Sequence, residues 1–349
     1  MMASPYDALL LLSFGGPEGM ADVLPFIETV LRGKSVPAER LREVADHYER
    51  FGGVSPLNAQ NRALLAAIEA ELAARGPRLP LYWGNRNWHP LLDDTLRRMA
   101  KDGVKRALAF VTSAYSSYSG CHQYREDIDR ARAALGSSAP GVDKLRAFYN
   151  HPGFIEANAA AVRAAFAEVP EVARGAAALV FTAHSIPNAM AAGSKYEGQL
   201  REAARLVSEA AGRTEWTFAY QSRSGSPSQP WLGPDIAEHL AALGKAGVRD
   251  VVVSPVGFVS DHMEVVYDLD IEARARAKDL GINMVRAPTA GTHPAFVSMV
   301  RDLVLERTEN APRRAVGADG PAPDDCASDC CPAPPAPPLG PRGGSPRHT

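Results

Sequence analysis

Two short stretches of this chain hold the residue types that proton transfer and metal handling need. The first is Phe181-Thr182-Ala183-His184-Ser185-Ile186-Pro187, which sets one imidazole after the apolar run 176–180. The second is Ser260-Asp261-His262-Met263-Glu264, after the apolar run 251–259. Histidine accepts a proton or binds a divalent metal near neutral pH, and a carboxylate opposite it supplies the countercharge. Both stretches close runs that read as buried strands, and open α/β sheets bind ligands at the carboxyl ends of their strands. His184 and Glu264 are therefore the expected catalytic pair, facing one pocket from two strand ends. A single histidine is more often a backbone-bonded core residue. The matching carboxylate motif is what argues otherwise here.

Glu264, Asp268 and Glu272 stand at i, i+4 and i+8. On one helix they form an acidic ridge, and like charges at this spacing repel. The plain reading is a solvated face. The functional reading is a carboxylate track that brings protons or a hydrated divalent cation to the cleft. Hard cations take oxygen ligands and borderline ones accept imidazole. His184, Glu264, Asp268 and Glu272 are then the metal ligands.

These residues need a scaffold. Apolar runs at 7–14, 79–84, 106–113, 176–183, 216–221, 251–258 and 282–286 read as strands, with helical spacing between them. Such alternation implies parallel sheets joined by right-handed crossovers. Residues 99–110 resemble residues 243–254, and each segment precedes a polar loop and a helix. The expected fold is α/β, with two Rossmann-like, doubly wound lobes at 5–150 and 151–310 and a cleft between them. Gly15-Gly16 after the first strand lacks the further glycine, the Gly-Lys-Ser/Thr and the spaced acidic residue of a nucleotide loop. Tyr48, Ser55, Arg86, Tyr115, Tyr118 and Trp231 fall in or beside loops. Arginine can hold a carboxylate by two hydrogen bonds, and aromatic side chains can line a flat ligand. Singly, each is more often an ordinary packing residue.

The chain has 349 residues, is 46% apolar and carries a net charge of −2. This supports sizeable cores and implies no broad basic surface for nucleic acid. No apolar run reaches the roughly 20 residues of a membrane span, so no stable membrane insertion is expected. The first residues lack a basic region and an apolar signal core, which reads as cytoplasmic. From 311 to 349 the composition turns proline-rich and weakly apolar, so this tail is expected to be disordered except where something pins it. The only candidate pins are Cys326, Cys330 and Cys331. With Cys121 they make four thiols, the number an all-thiolate iron–sulfur or zinc site takes. Free thiols on a loose tail are the plain alternative.

Taken in order, Leu12-Ser13-Phe14-Gly15-Gly16-Pro17-Glu18, Phe51-Gly52-Gly53-Val54-Ser55-Pro56, the His184 stretch, Pro230-Trp231-Leu232-Gly233-Pro234 and Phe258-Val259 with the Glu264 stretch resemble the ferrochelatase family. The resemblance covers about residues 5 to 310. It implies an enzyme that inserts ferrous iron into a porphyrin, with His184 and Glu264 at the centre and Asp268 and Glu272 continuing the acidic path. It places Phe14, Tyr48, Ser55, Arg86, Tyr118 and Trp231 against the macrocycle. The tail resembles that of actinobacterial members with a [2Fe–2S] cluster, which implies Cys121, Cys326, Cys330 and Cys331 as ligands. It also implies coproporphyrin III as substrate and allows transient contact with neighbouring haem-pathway enzymes. Two positions depart from the family pattern. Phe14 stands where some bacterial members have a metal-ligating tyrosine, and Arg86-Asn87 stands for an Arg-Tyr pair. The rival readings are a protoporphyrin IX chelatase, a cobalt or nickel chelatase of the same fold, and a non-catalytic haem carrier.

Overall fold

The computed structural model describes residues 4–32, 38–224, 229–327 and 329–333. The first half runs β1 (Ala8–Ser13), α1 (Met20–Val30), α2 (Ala38–Glu49), α3 (Pro56–Arg75), β2 (Leu81–Asn85), α4 (Leu92–Lys101), β3 (Arg106–Val111), α5 (Gln123–Leu135) and β4 (Gly141–Lys144). The second runs α6 (Pro152–Glu168), β5 (Ala178–His184), α7 (Asn188–Ala192), α8 (Tyr196–Ala210), β6 (Thr217–Gln221), α9 (Ile236–Lys245), β7 (Asp250–Ser254), α10 (Met263–Val265), α11 (Arg274–Asp279), β8 (Asn283–Arg286) and α12 (Pro294–Thr308). Two π-helical turns complete it, Tyr118–His122 and Val266–Ala273.

The strands form two four-stranded parallel sheets, ordered β2-β1-β3-β4 and β6-β5-β7-β8. A parallel sheet is covered on both faces, so its central strands read as unbroken apolar runs. β1, Ala-Leu-Leu-Leu-Leu-Ser, is buried throughout. Alternate residues serve alternate faces. Leu9 and Leu11 join Leu108, Phe110, Leu179, Phe181 and Val252 in one core with α6 and α12, shared by both sheets. Leu10 and Leu12 face the other way, onto α4 and α5.

The repeat seen in the sequence corresponds to α4 turning into β3 and α9 turning into β7. Gly103 and Gly247 hold matching positive φ values of 85° and 87°. Seven strands were expected and the described residues contain eight. The extra one, β4, is short, polar and half-buried, so it lacks the apolar run that marks the others.

The tail departs from expectation too. Pins precede the cysteines. Arg146 pairs with Glu306 at 2.7 and 2.8 Å and donates to Arg314 O at 2.8 Å. Val316 N–H bonds Asn150 O at 2.9 Å, and Asp324 faces Arg307 and Arg313 at 3.7 and 3.3 Å. Pro332 then lies against Gly193 after α7. Residues 334–349, and Ser328 between the cysteines, lie outside the described residues.

Candidate active site

His184 is the last residue of β5, in register with Gln221 at the end of β6. Its backbone is held from two sides. Tyr196 donates its hydroxyl to His184 O at 3.0 Å, and Ser185 N–H continues the ladder to Gln221 O at 2.8 Å. The ring Nδ1 lies against Ser185 O, which leaves Nε2 to face Glu264 Oε2 at 3.4 Å.

Glu264 arrives from the turn after β7. That turn can close on β5 because residue 257 is glycine: a Cβ there would fall 2.4 Å from the Ala183 Cβ. Gly257 N–H bonds Thr182 O at 3.0 Å, and Gln221 Nε2 donates to Glu264 O at 3.2 Å. His262 Nδ1 accepts the Glu264 N–H at 3.2 Å, which caps the helical turn that follows.

Electrostatics sort the pair. Burial alone would pull the His184 pKa down, but the charge and hydrogen bond of Glu264 outweigh it, and the pKa rises. Burial would raise Glu264, yet His184 and His262 hold it at about 2. Burial lowers His262, so of the two imidazoles only His184 is poised as a cation. The side chains are 31% and 51% exposed for His184 and Glu264, so both can reach a ligand.

The ridge is not one α-helix. Val266–Ala273 is π-helical, between α10 and α11. Residues four apart overshoot an α-turn of 3.6 residues and undershoot the wider π-turn, whose bonds run i→i+5. The mixture keeps Glu264, Asp268 and Glu272 within electrostatic reach of one another. Asp268 is pushed up to about 7, by burial first and then by Glu264 and Glu272, against a hydrogen bond from Ser222. Tyr267 bonds Glu272 and stacks on His47 at 3.8 Å. Among the described residues, no three His, Cys, Asp or Glu side chains are grouped tightly enough to hold a metal ion without moving.

The Asp268 proton has a sign that can be tested. With Asp268 as the expected metal ligand, an arriving cation would have to displace this proton below pH 7, so cation affinity would climb with pH and level off above 7. KM for Fe²⁺ is expected to fall by roughly fifteenfold between about pH 5.5 and 7, most steeply at the acid end. Asp268→Asn should flatten that limb. A flat KM in the unmodified protein across that range would refute the assignment.

The ring-lining residues divide. Phe14 is exposed, its ring centroid 6.3 Å from that of Phe26, which lies 5.9 Å from the Tyr48 ring and 6.2 Å from the Trp88 ring, centroid to centroid. This aromatic group, carried by α1 and α2, meets Met263 and Tyr267 of the acidic helix. Burial and Glu264 both raise the Tyr48 pKa, which places it near the pair. Trp231 bridges Pro187 in the His184 loop, and its buried indole N–H has no partner among the described residues.

Three of the expected contacts already have partners within the protein. Ser55 is buried, caps α3 through Leu57 N–H at 3.4 Å and packs on Gly16. Arg86 already has its carboxylate: Nε lies 2.7 Å from Asp127, with the guanidinium over the Tyr124 ring. Tyr118 donates to Glu126 at 2.9 Å, on the turn that carries Cys121. Gln221, Ser222 and Tyr196 were not anticipated. Their polar places at or beside the strand ends next to His184 were the available signal.

The four thiols do converge. Cys330 Sγ and Cys331 Sγ are 3.6 Å apart, and Lys144 Nζ donates to Cys121 Sγ at 2.9 Å. Burial, then Cys330, Cys121 and Cys326, push Cys331 up to about 12. Cys331 is buried and Cys121, Cys326 and Cys330 are half-buried. Four thiols are the donor set of an all-thiolate cluster, but among the described residues they are not drawn together tightly enough to form one without moving.

The fold and the comparisons with known proteins agree. The Ferrochelatase family profile matches residues 6–308. A ferrochelatase from Rhodopirellula baltica is 54% identical over 329 residues, covering 94% of this chain and 93% of that protein. A coproporphyrin III ferrochelatase from Streptomyces griseus is 51% identical over 354 residues, covering 95% and 94%. One from Nocardia farcinica is 52% identical over 338 residues, covering 93% and 96%. Among solved structures, the sirohydrochlorin chelatase SirB from Bacillus subtilis has a TM-score of 0.52 at 13% identity, over 87% of this chain and 96% of that one. That likeness shows the fold alone. The cleft that joins an imidazole to a line of carboxylates lies inside the matched region, and the chain belongs to the ferrochelatase family.

Proposed function

We propose that this protein inserts ferrous iron into coproporphyrin III, giving the iron coproporphyrin of haem biosynthesis. The observation that carries the reading is the His184–Glu264 pair, 3.4 Å apart at the mouth of the second sheet, in a chain half identical to enzymes of that name along nearly its whole length. In this reading Phe14, Tyr48 and Trp231 line the macrocycle. The lobes are residues 5–150 and 151–310, and 311–349 is the cysteine-bearing tail.

The residues act as follows. His184 begins as a cation, held so by Glu264. Ferrous iron approaching along Glu272, Asp268 and Glu264 neutralises that carboxylate and adds positive charge beside the ring. Both changes lower the His184 pKa, so it sheds its proton and becomes a base. Its proton passes to water, and His184 then takes the two pyrrole protons one at a time, releasing the first to water before it accepts the second. Two protons leave as one Fe²⁺ enters, so charge balances.

In the same reading, Cys121, Cys326, Cys330 and Cys331 would hold a [2Fe–2S] cluster, which would supply one-electron redox capacity and tie the tail to the body. A cytoplasmic setting belongs to it as well, since ferrous iron and reduced thiols need a reducing compartment. Among the described residues no helix is long and apolar enough to cross a membrane.

One observation favours protoporphyrin IX instead. Met20 and Leu24 are exposed at i and i+4 on α1, with exposed Val54 near them, a small apolar rim suited to a less charged ring. Anaerobic Fe²⁺ insertion with both porphyrins in parallel, followed by absorbance, decides. Preference for coproporphyrin III is the expected result, and preference for protoporphyrin IX overturns the substrate. Turnover of neither, with porphyrin still bound, makes the protein a carrier. The same preparation should show iron–sulfur absorbance that Cys331→Ser removes.

A further inference from the structure

Arg286 closes β8 at the edge of the second sheet, and its guanidinium is fully engaged. Nε and Nη2 reach the two carboxylate oxygens of Asp270, each at 2.8 Å. Nη1 and Nη2 reach the two oxygens of Asp261 at 3.2 and 3.3 Å. The three side chains are only 14%, 17% and 23% exposed for Arg286, Asp261 and Asp270. The ion pairs are therefore screened less than surface pairs, and the planar fork fixes orientation as well as charge.

The two carboxylates are placed to matter. Asp261 opens the turn that ends in Glu264, and its N–H donates to Gln60 Oε1 of α3 at 2.8 Å. Asp270 lies in the π-helical stretch midway between Asp268 and Glu272. Residues two apart on a helical turn point away from each other. Asp270 is thus the sheet-facing side of the same turn whose other side presents the ridge. The π-turn is a rare conformation with little intrinsic preference for itself, so its rotation about its axis has to be set from outside.

We propose that Arg286 is the positioning residue of the ridge: one guanidinium clamps the turn before Glu264 and the back of the π-helix to the sheet edge, and so aims Glu264, Asp268 and Glu272 together into the cleft. This rests on the reading of the ridge as the iron path. It assigns specificity as well as rate. Loosening the clamp scatters the carboxylates that meet the cation and leaves Trp231, which is tied to Pro187 on the far side of the site, in place for the porphyrin.

The test is steady-state kinetics of Arg286→Met, Arg286→Lys and Asp270→Asn, with iron and porphyrin varied separately and Glu264→Gln run beside them. Misplacement by an ångström can cost up to about a hundredfold. For Arg286→Met, kcat/KM for Fe²⁺ is expected to fall by about ten- to a hundredfold, with KM for porphyrin within about twofold. Lysine keeps a point charge but not the double fork, so Arg286→Lys should fall between. If Arg286→Met does not fold, the lysine and Asp270→Asn variants decide in its place. Equal loss toward both substrates means a general structural role and overturns the proposal. Unchanged iron kinetics beside a disabled Glu264→Gln overturns the clamp alone. Unchanged kinetics in both overturns the ridge, and the clamp with it.

Discussion

Replacing His184 by alanine is expected to lower the rate of iron insertion by about two orders of magnitude or more, the scale of losing a general base. The fall should appear in kcat at saturating porphyrin, because the macrocycle is held by groups that His184 does not support. Binding of the porphyrin, followed by its absorbance shift, should persist. The variant also changes its neighbour. His184 is what holds Glu264 at about 2 against burial, so Glu264 should titrate at higher pH once the imidazole is gone. Residues that act as a unit lose activity non-additively. His184→Ala combined with Glu264→Gln should therefore be little worse than the poorer single variant. A near-normal rate in His184→Ala would remove the residue from the reaction.

Glu306→Ala is expected to produce the largest loss of stability. Arg146 and Glu306 are 1% and 3% exposed, so the pair is fully withdrawn from water. Removing one partner strands a buried charge, at a cost of about 3–5 kcal/mol. For a chain of this length that is on the order of 10 °C in Tm. The Arg146–Arg314 backbone bond remains in the variant but cannot neutralise the guanidinium. The informative companion is Arg146→Met with Glu306→Leu, where no charge is left. Apolar replacement of both partners is often close to neutral, so the double variant should recover most of the loss. A single variant that loses less than about 1 kcal/mol would show that water reaches the site.

The parts of this molecule that could be read from residues alone are those whose signal is local. β1, β5 and β7 are apolar runs because both faces of a parallel sheet are covered, and each announced itself. His184 and Glu264 were visible because each follows such a run. The π-helical turns were not: residues 266–273 scan as ordinary helix and Tyr118 to Gly120 as the end of a polar loop, and the choice between i→i+4 and i→i+5 bonding is settled by packing. Arg86 and Ser55 show the same limit from another side. Each has a type suited to ligand binding, and each is claimed by a partner distant in sequence, Asp127 and Gly16. The partner is a property of the fold, so residue type alone could not name it. Gln221 and Ser222 went unseen for the converse reason, since only strand register brings them beside His184 and Asp268.

The two sheets share more than a strand order. In each, the third strand of the sequence, β3 or β7, leads through a loop into a π-helical turn that runs on into an α-helix. One of these turns presents Cys121 and the other presents Asp268 and Glu272. They stand at corresponding places in two lobes of the same strand order. Because both lobes lie in one chain, the two places need not carry the same groups, so one scaffold offers a thiol at one turn and carboxylates at the other.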